Sequence, residues 1–545
     1  MIKKIIKNNI LDSRPSNSVI SAAFVITMAG LVSRFLGLIR DRFLASAFGA
    51  GDTLDVYYAA FRIPDLIYNL LILGALSAAF IPVFTGLISR EKEDEAWKMA
   101  NNIINLALTF IILLSIILAI FAPVLMKIIT PGFSPEKTAQ AVLFTRIMFF
   151  SPLFLGISGI FGGILTSFKH FLVYSIAPLF YNLGIIIGVL VFVKLWGPIG
   201  LAWGVVLGAL LHMLAQYPAA RALGYRHLWS FKECFSDRKV RKVIRLMIPR
   251  TLGIAINQIN LFVITIFAST LAAGSLAIMN FAQNLQGVPL GIFGSSFAIA
   301  VFPTLSAFHA KKDDRGFVGA FSKTFRQILF FVIPASVFIL LLRAQLVRVV
   351  LGAGKFDWED TVLTFQVLGV FSLSLFAQCL VPLLARSFYS MHDTKTPFYI
   401  ALAAEAVNIL AVFLLIGRFQ ILGLAMAFSL ASLVQMSMLL FALRARFDIL
   451  DDKIIIQSVV KIAAASIAAG IGIQGAKYAA DYFFNIDTFL GIFAQLAFAG
   501  FFGAFLFVAA SQLLRTEEFM EFKKSFTKRI FKGKKEIVEN LNDFV

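Results

Sequence analysis

The residues best suited to chemistry form a charged cluster inside an apolar stretch near the N-terminus, SRFLGLIRDRF, residues 33–43. Arg34 and Asp41 are seven residues apart, so a helix would place them two turns apart on one face, with Arg40 beside Asp41. An Arg or Asp at the centre of a membrane span costs about 2.5–3.5 kcal/mol. The cluster therefore predicts that this helix meets water, a charged ligand or buried partners.

Two later apolar segments carry polar residues at the same spacing of seven. In chain order these residues are Asp55, Arg62 and Asn69, with Asp65 near Arg62, and then Arg250 and Asn257, with Gln258 alongside. The acid Glu405, in LAAEAVNIL, stands alone in another apolar segment, where it could carry a proton, bind a cation, pair with a neighbour or lie at the lipid edge. We interpret the first three segments as helices that each present a polar stripe.

Arginine is the cation common to these stripes. It suits phosphate because its planar guanidinium donates paired hydrogen bonds and keeps its charge. A water-filled cavity lined by guanidinium groups would favour an anion, such as the phosphate or pyrophosphate of a lipid. The structural alternative is that the arginines extend to lipid headgroups or form buried ion pairs that serve packing. Extension to headgroups is the favoured interpretation for Arg343, Arg348 and Arg386, which lie near predicted helix ends.

The elements that must hold these residues are membrane helices. Of the 545 residues 59% are hydrophobic and 14% charged, with a mean hydropathy of +0.86, too few charges to cover soluble domains. Apolar runs long enough to cross roughly 30 Å of hydrocarbon recur from end to end. We predict an all-α polytopic membrane protein with about 14 transmembrane helices. The predicted spans are 18–48, 54–88, 97–129, 139–168, 171–194, 199–224, 242–272, 276–309, 321–350, 359–388, 395–417, 421–444, 455–481 and 485–514.

The chain also repeats itself. SRFLG (33–37), AFIPVF (79–84) and IGLAWG (199–204) recur in the same order as PRTLG (249–253), AVFPTL (300–305) and LGLAMA (422–427), at offsets of 216, 221 and 223 residues. These matches predict two parallel six-helix repeats with the substrate path between them, as in many transporters. The predicted domains are an N-lobe at 1–224, a C-lobe at 225–446, two added helices at 447–514 and a basic tail at 515–545.

Basic residues set the predicted orientation. If the N-terminus lies in the cytoplasm, the lysine-rich and arginine-rich loops collect on that side, and the positive-inside rule places both termini there. The tail could be a basic amphipathic helix on anionic lipid or a solvated helix. The net charge of +19 comes largely from such segments and gives no reason to expect nucleic acid binding.

Catalysis finds little support in the sequence. It has no nucleotide-binding phosphate loop, its five histidines are not spaced as metal ligands, and its two cysteines, Cys234 and Cys379, indicate no disulfide framework. We predict a transporter that is not an enzyme and needs no cofactor or metal. A membrane glycosyltransferase with Asp41, Asp55 or Glu405 as its base is the alternative from another class, but charge balance explains these acids better. A non-transporting scaffold would not explain the cost of the buried arginines.

The stretch MAGLVSRFLGLIRDRFLASAFGAGDTLDVYYAAFRIPDL (28–66) resembles the N-terminal signature of the MurJ (MviN) lipid II flippases, members of the multidrug/oligosaccharidyl-lipid/polysaccharide exporter superfamily. GALSAAFIPVF (74–84), IPRTLG (248–253) and HDTKTP (392–397) extend the resemblance. It implies two six-helix lobes plus two C-terminal helices that line a groove for a lipid tail. It also implies a protein of the bacterial cytoplasmic (inner) membrane. Such a protein would move lipid II, an undecaprenyl-pyrophosphate-linked muropeptide, to the outer leaflet by alternating access for cell-wall synthesis.

Several residues match the family's charged helices. Arg34, Arg40 and Asp41 match its first helix, Asp55 and Arg62 its second, and Arg250 its seventh. The resemblance implies that these arginines hold the pyrophosphate, while the other polar residues of the stripes, and Glu405, would support them. Tyr68 and Leu73 stand where many members carry charged residues, so this cavity would be charged differently. Asn408 is followed by Val412, so the sodium site of some members is not carried over.

Partners and driving force follow less directly. The resemblance implies lipid II and membrane lipids as partners and leaves cell-wall synthesis proteins open. The energy source is open between an ion gradient and the membrane potential, which is worth ~2.3 kcal/mol per charge per 100 mV. The alternative function is transport of another polyprenyl-pyrophosphate-linked oligosaccharide, or drug export within the same superfamily. An exporter of cationic drugs would be expected to line its cavity with acids.

Overall fold

The structure is a computed structural model that describes residues 19–70, 77–228, 238–447 and 450–524. Within these ranges the side chains of 19–24, 77–78, 238 and 246–257 fall outside the description. Leu73, Cys234 and the tail after residue 524 lie outside the described residues. The described chain is helical apart from its short connections, so the all-α prediction is confirmed.

The first half of the chain supplies the helices that carry Arg34 and Arg62. These helices are α1 Val19–Phe48, α2 Asp52–Tyr68, α3 Ser77–Ile88, α4 Glu93–Ile129, α5 Pro135–Met148, α6 Phe150–Ser167, α7 Phe171–Ile187, α8 Val193–Trp196 and α9 Gly200–Ala222. A π-helical segment, Gly188–Phe192, joins α7 to α8.

The second half begins with the helix that carries Arg250. Its helices are α10 Arg238–Ser269, α11 Ser275–Pro289, α12 Ser296–Ala310, α13 Asp314–Val350, α14 Trp358–Ser390, α15 Lys395–Phe419, α16 Ile421–Arg444, α17 Asp452–Phe483 and α18 Phe489–Leu513. A second π-helical segment, Leu290–Ser295, joins α11 to α12. A further helical stretch spans 517–524.

Many of these helices are suited to a membrane. In the described part of the chain, ten helical segments are long and apolar enough to span a bilayer, and many of their large apolar side chains are exposed. Hydrocarbon-facing surfaces of this kind identify a multi-pass membrane protein. The figure of fourteen spans stays a prediction, as do the four domain boundaries.

The described contacts divide the chain into two compact units. The first comprises Met1–Phe281 with Val350–Asp360, and the second comprises Ala282–Val349 with Thr361–Val545. Helix α10 therefore packs with the first unit, where it contacts α2, α3 and α4.

Glycines fix the position of α7 in the first unit. A Cβ on Gly184 would lie 2.2 Å from the Cα of Gly208, and one on Gly188 would lie 2.5 Å from the Cα of Gly204. Helix α7 and its π-helical extension therefore pack backbone to backbone against α9, a contact that only small residues allow. The opposite side of α7 packs on α1, which brings Asn182 towards the charged cluster.

The HDTKTP motif forms a helix cap in the second unit. The side chain of Asp393 accepts hydrogen bonds from the backbone N–H groups of Lys395 and Thr396, both at 3.0 Å, and from Thr396 Oγ1 at 2.7 Å. The guanidinium of Arg446 donates to the same carboxylate. These bonds satisfy N–H groups that the first turn of α15 leaves without helical partners.

The C-terminal helices pack against α13 in the second unit. Leu342 of α13, Ile473 and Ala476 of α17 and Ala499 of α18 form one buried cluster. The 517–524 stretch binds α13 through ion pairs, since Arg326 contacts both Glu517 and Glu518. The described start of the tail is thus held to protein by charge.

Candidate substrate-binding site

Arg40 and Asp41 of α1 form an ion pair that α7 completes. Arg40 Nε and Nη2 donate to Asp41 Oδ1 at 3.0 and 2.7 Å, and Nη1 donates to Asn182 Oδ1 at 3.1 Å. Asp41 is 1% exposed, while the Arg40 side chain keeps 20% of its surface exposed. The guanidinium is therefore fixed in orientation, with part of its surface left for a ligand.

Asn182 is a site residue that the sequence analysis missed. It is an isolated amide in the apolar segment PLFYNLGII, and its Nδ2 donates to Pro178 O at 3.2 Å and to Ser33 O at 3.5 Å. Because these carbonyls belong to α7 and α1, the amide joins the two helices and turns its oxygen towards Arg40. A polar amide is costly inside a membrane span. Its presence in an apolar segment was therefore the sequence feature that could have identified Asn182.

Arg34 occupies a different environment on the same helix. It lies two turns before Asp41 and is exposed, as are its neighbours Val32 and Phe35. The structure thus gathers Arg40, Asp41 and Asn182 into one hydrogen-bonded group and leaves the Arg34 side chain at the surface of α1. An exposed guanidinium is accessible to an anion from outside the helix.

Arg62 is buried between helices of the first unit. Its Nε donates to Thr265 Oγ1 on α10 at 2.6 Å, and its Nη2 approaches Asn280 Oδ1 on α11 at 3.4 Å. The residue is 7% exposed, whereas Asp65 and Asn69 further along the chain are half-buried. The Arg62 side chain therefore holds α2 against α10 and α11, the first two helices of the predicted second repeat.

Asp55 links α2 to the N-terminus of α11. Its Oδ2 accepts from Lys137 Nζ at 3.0 Å and from the N–H of Gly274 at 2.8 Å, and its Oδ1 accepts from the N–H of Ala277 at 3.1 Å. A carboxylate at this position satisfies orphan amides and complements the helix dipole. Lys137 was missed by the sequence analysis; it lies in the first turn of α5, where its N–H donates to the capping Ser134 Oγ.

Helix α10 carries the third predicted stripe. The backbone of Arg250 and Asn257 lies in this helix, but their side chains belong to the part of the chain that is not described. Gln258 is buried and lies two turns before Thr265, the partner of Arg62. Gln258 and Thr265 therefore lie on the same face of α10, which is the face that contacts Arg62 of α2.

Glu405 lies in the second unit on α15. It is buried and accepts a hydrogen bond from Asn408 Nδ2 at 3.2 Å, one helical turn along. Of the environments considered for this acid, pairing with a neighbour is the one observed.

Comparisons with known proteins identify the family. Residues 44–494 match the sequence model of the family described as Lipid II flippase MurJ. The Probable lipid II flippase MurJ of Buchnera aphidicola subsp. Acyrthosiphon pisum (strain APS) is 31% identical over 422 residues, which are 76% of this chain and 81% of that protein.

Solved structures share the fold. A structure described as Lipid II flippase MurJ, inward closed conformation, has a TM-score of 0.74 at 24% identity, covering 90% of this chain and 98% of that one. An inward-facing multidrug resistance MATE family transporter of the MOP superfamily has a TM-score of 0.65 at 13% identity, covering 77% and 96% of the two chains. The solved structures show the fold, and the match to the family model together with the curated relative shows that the chain belongs to the MurJ family of lipid II flippases, which are transporters.

Proposed function

We propose that this protein moves lipid II from the cytoplasmic to the outer leaflet by alternating access, with α1 as the site that binds the pyrophosphate. Family membership supports the substrate, and the arrangement of cations on α1 supports the binding site. The undecaprenyl tail would stay in lipid while the sugar-peptide head crosses.

The observation that carries this proposal is that one helix, α1, presents both an exposed arginine, Arg34, and an arginine whose orientation is fixed, Arg40. A guanidinium has five N–H donors. Arg40 uses three of them on Asp41 and Asn182, which leaves two for a ligand. Arg34 would capture the pyrophosphate first, and the fixed fork of Arg40 would then set its orientation through charge-assisted hydrogen bonds.

Arg62 and Asp55 would act in this cycle by holding helices in place. Both are buried and use their polar atoms on protein partners in α5, α10 and α11. A change of access at this end of α2 would have to break these contacts. The energy could come from the membrane potential or an ion gradient, so transfer should speed up when one of these is imposed on vesicles.

The test is leaflet transfer of labelled lipid II in vesicles that contain the purified protein. Arg34→Ala and Arg250→Ala should each reduce transfer about tenfold or more, since a hydrogen bond to a charged group is worth about 1.5–3 kcal/mol. Arg90→Ala, which removes an exposed arginine after α3, is the matched control. Loss of transfer in all three variants, or in none, would contradict the proposed site. Absence of both transfer and lipid II binding in the parent protein would favour another lipid-linked oligosaccharide.

The proposed orientation places both termini in the cytoplasm, and the natural cysteines can test it. Cys379 is buried, so a Cys379→Ser variant leaves Cys234, which precedes α10 in a basic stretch of the sequence, as the natural reporter. A membrane-impermeant maleimide should label this variant only after cells are permeabilised. Labelling in intact cells would reverse the orientation.

A further inference from the structure

Two cationic side chains of the second unit, Arg343 and Lys477, bind neighbouring backbone carbonyls of α13. Arg343 Nη1 donates to the carbonyl of Leu340, and Lys477 Nζ donates to the carbonyl of Leu341 at 3.1 Å. Because these carbonyls are consecutive on one helix, the cationic groups from α13 and α17 come to adjacent positions.

Helix α14 provides the contacts that fix the direction of the Arg343 side chain. The guanidinium carbon lies 5.6 Å from the centroid of the Phe365 ring, and the aliphatic stem passes Gly369, where a Cβ would lie 3.1 Å from Arg343 Cδ. Stacking on an aromatic ring and the missing side chain at 369 hold the arginine in one direction. A cation that only extended to the lipid surface would need no such contacts.

The local charges do not balance. Asp481 follows Lys477 by one turn of α17, and its Oδ1 already accepts a hydrogen bond from Gln495 Nε2. Gln495 is buried and is itself held by Gln345 Nε2 at 3.0 Å. Among the residues that the structure describes here, two positive charges therefore stand beside the carboxylate of Asp481 in a span, where charge is costly. An anion between the two cations would lower that cost.

The pair lies close to the ends of its helices. Helix α13 continues seven residues past Arg343 to Val350, and α17 continues six residues past Lys477 to Phe483, which is about 10 Å and about 9 Å at the helical rise. Tyr478 and Tyr482 are strongly exposed beside Lys477. Exposed tyrosines of this kind are typical of the level where lipid headgroups begin.

We propose that Arg343 and Lys477 form a binding site for a lipid phosphate group in the leaflet that contains the C-terminal ends of α13 and α17. The guanidinium offers a planar fork and the ammonium a compact point charge, and together they suit the oxygens of a phosphodiester or of a polyprenyl phosphate. The site is built from residues of the second unit alone and does not depend on which lipid is transported. Its failure would leave the transfer test of Arg34 unaffected.

Native mass spectrometry of the full chain can test this site with three probes: phosphatidylglycerol, undecaprenyl phosphate and inorganic phosphate. Arg343→Gln and Lys477→Gln should each reduce lipid retention about tenfold, as expected for a lost charge-assisted bond. Lys461→Gln removes an exposed lysine of the same helix, α17, and should leave retention unchanged. The lipid whose retention falls identifies the source of the phosphate.

A gain-of-binding variant guards against misfolding. Asp481→Asn keeps both cations and removes the competing acid, so retention should rise. Equal retention in the Lys477 and Lys461 variants, a fall with Asp481→Asn, or binding of inorganic phosphate without either lipid would each overturn the proposal.

Discussion

Asp55 offers a sharp test of how the first unit is held together, because a matched acid lies nearby. Asp52 and Asp55 both pair with Lys137, at 2.6 and 3.0 Å, but Asp52 is 67% exposed in its side chain and Asp55 is 3% exposed. Only Asp55 also accepts the two backbone N–H groups at the start of α11. Replacing each acid by Asn therefore removes one charge near the same lysine in two different surroundings.

The expected cost of Asp55→Asn follows from its three bonds. The introduced amide keeps one acceptor oxygen, but its NH₂ group would face a lysine ammonium or a backbone N–H, which are donors. Hydrogen bonds to charged groups contribute about 1.5–3 kcal/mol each, and breaking a buried ion pair costs about 3–5 kcal/mol. We expect Asp55→Asn to lower the free energy of unfolding by about 3 kcal/mol. Asp52→Asn should cost below about 1 kcal/mol, as for exposed pairs.

Equilibrium unfolding in mixed micelles, followed by tryptophan fluorescence, measures both values. Lys137→Met adds a check, because a difference between the two variants that persists in this background comes from the backbone N–H groups at the start of α11 and not from the lysine. If Asp55→Asn and Asp52→Asn differ by less than about 1 kcal/mol, the contact between Asp55 and the start of α11 does not stabilise the protein in the way argued.

Two further substitutions test separate contacts. Asn182→Ala should lower the free energy of unfolding by about 1 kcal/mol through the lost bond to Arg40. The double variant with Arg40→Gln should lose less stability than the two single variants lose together. Additive losses would show that the two residues do not interact. Asp393→Ala should cost about 1 kcal/mol at neutral pH through the lost cap of α15. Partial burial acts to raise the pKa of Asp393, but hydrogen bonds from Thr396 and the charge of Arg446 outweigh it and hold the pKa below its ordinary value. This contribution is therefore complete above about pH 4 and is lost as pH falls through the lowered pKa; a difference between Asp393→Ala and the parent that stayed constant to low pH would contradict it.

The all-α membrane class was predictable because hydrophobicity decides which segments are helical in lipid. Long apolar segments must be helical in lipid, and the structure has helices at the predicted spans wherever the chain is described. The site was predictable only in part. Seven-residue spacing identifies which polar residues share a face, but their partners come from far along the chain. Asn182 is 142 residues from Arg40, and Thr265 is 203 residues from Arg62.

The stripe of Asp55, Arg62 and Asn69 shows the limit of periodicity. The three residues share a spacing but not an environment, since Asp55 binds the start of α11, Arg62 binds Thr265, and Asn69 is half-buried in a π-helical turn. A polar stripe in a span therefore predicts that each polar residue has surroundings that offset the cost of placing it in the membrane. It does not predict that the residues meet the same ligand.

Arg34 and Arg40 belong to one motif but have different surroundings, and in the proposed cycle they have different parts. An anion that reaches Arg40 must share the guanidinium with Asp41, and the repulsion between the two negative charges lowers its affinity. A transporter needs this, because a substrate bound too tightly is not released. In the proposed cycle the exposed Arg34 attracts the pyrophosphate, while Asp41 keeps the hold of Arg40 weak enough for release on the far side. Asp41 would then act on the rate of release without touching the substrate, so its charge matters even though it repels the ligand.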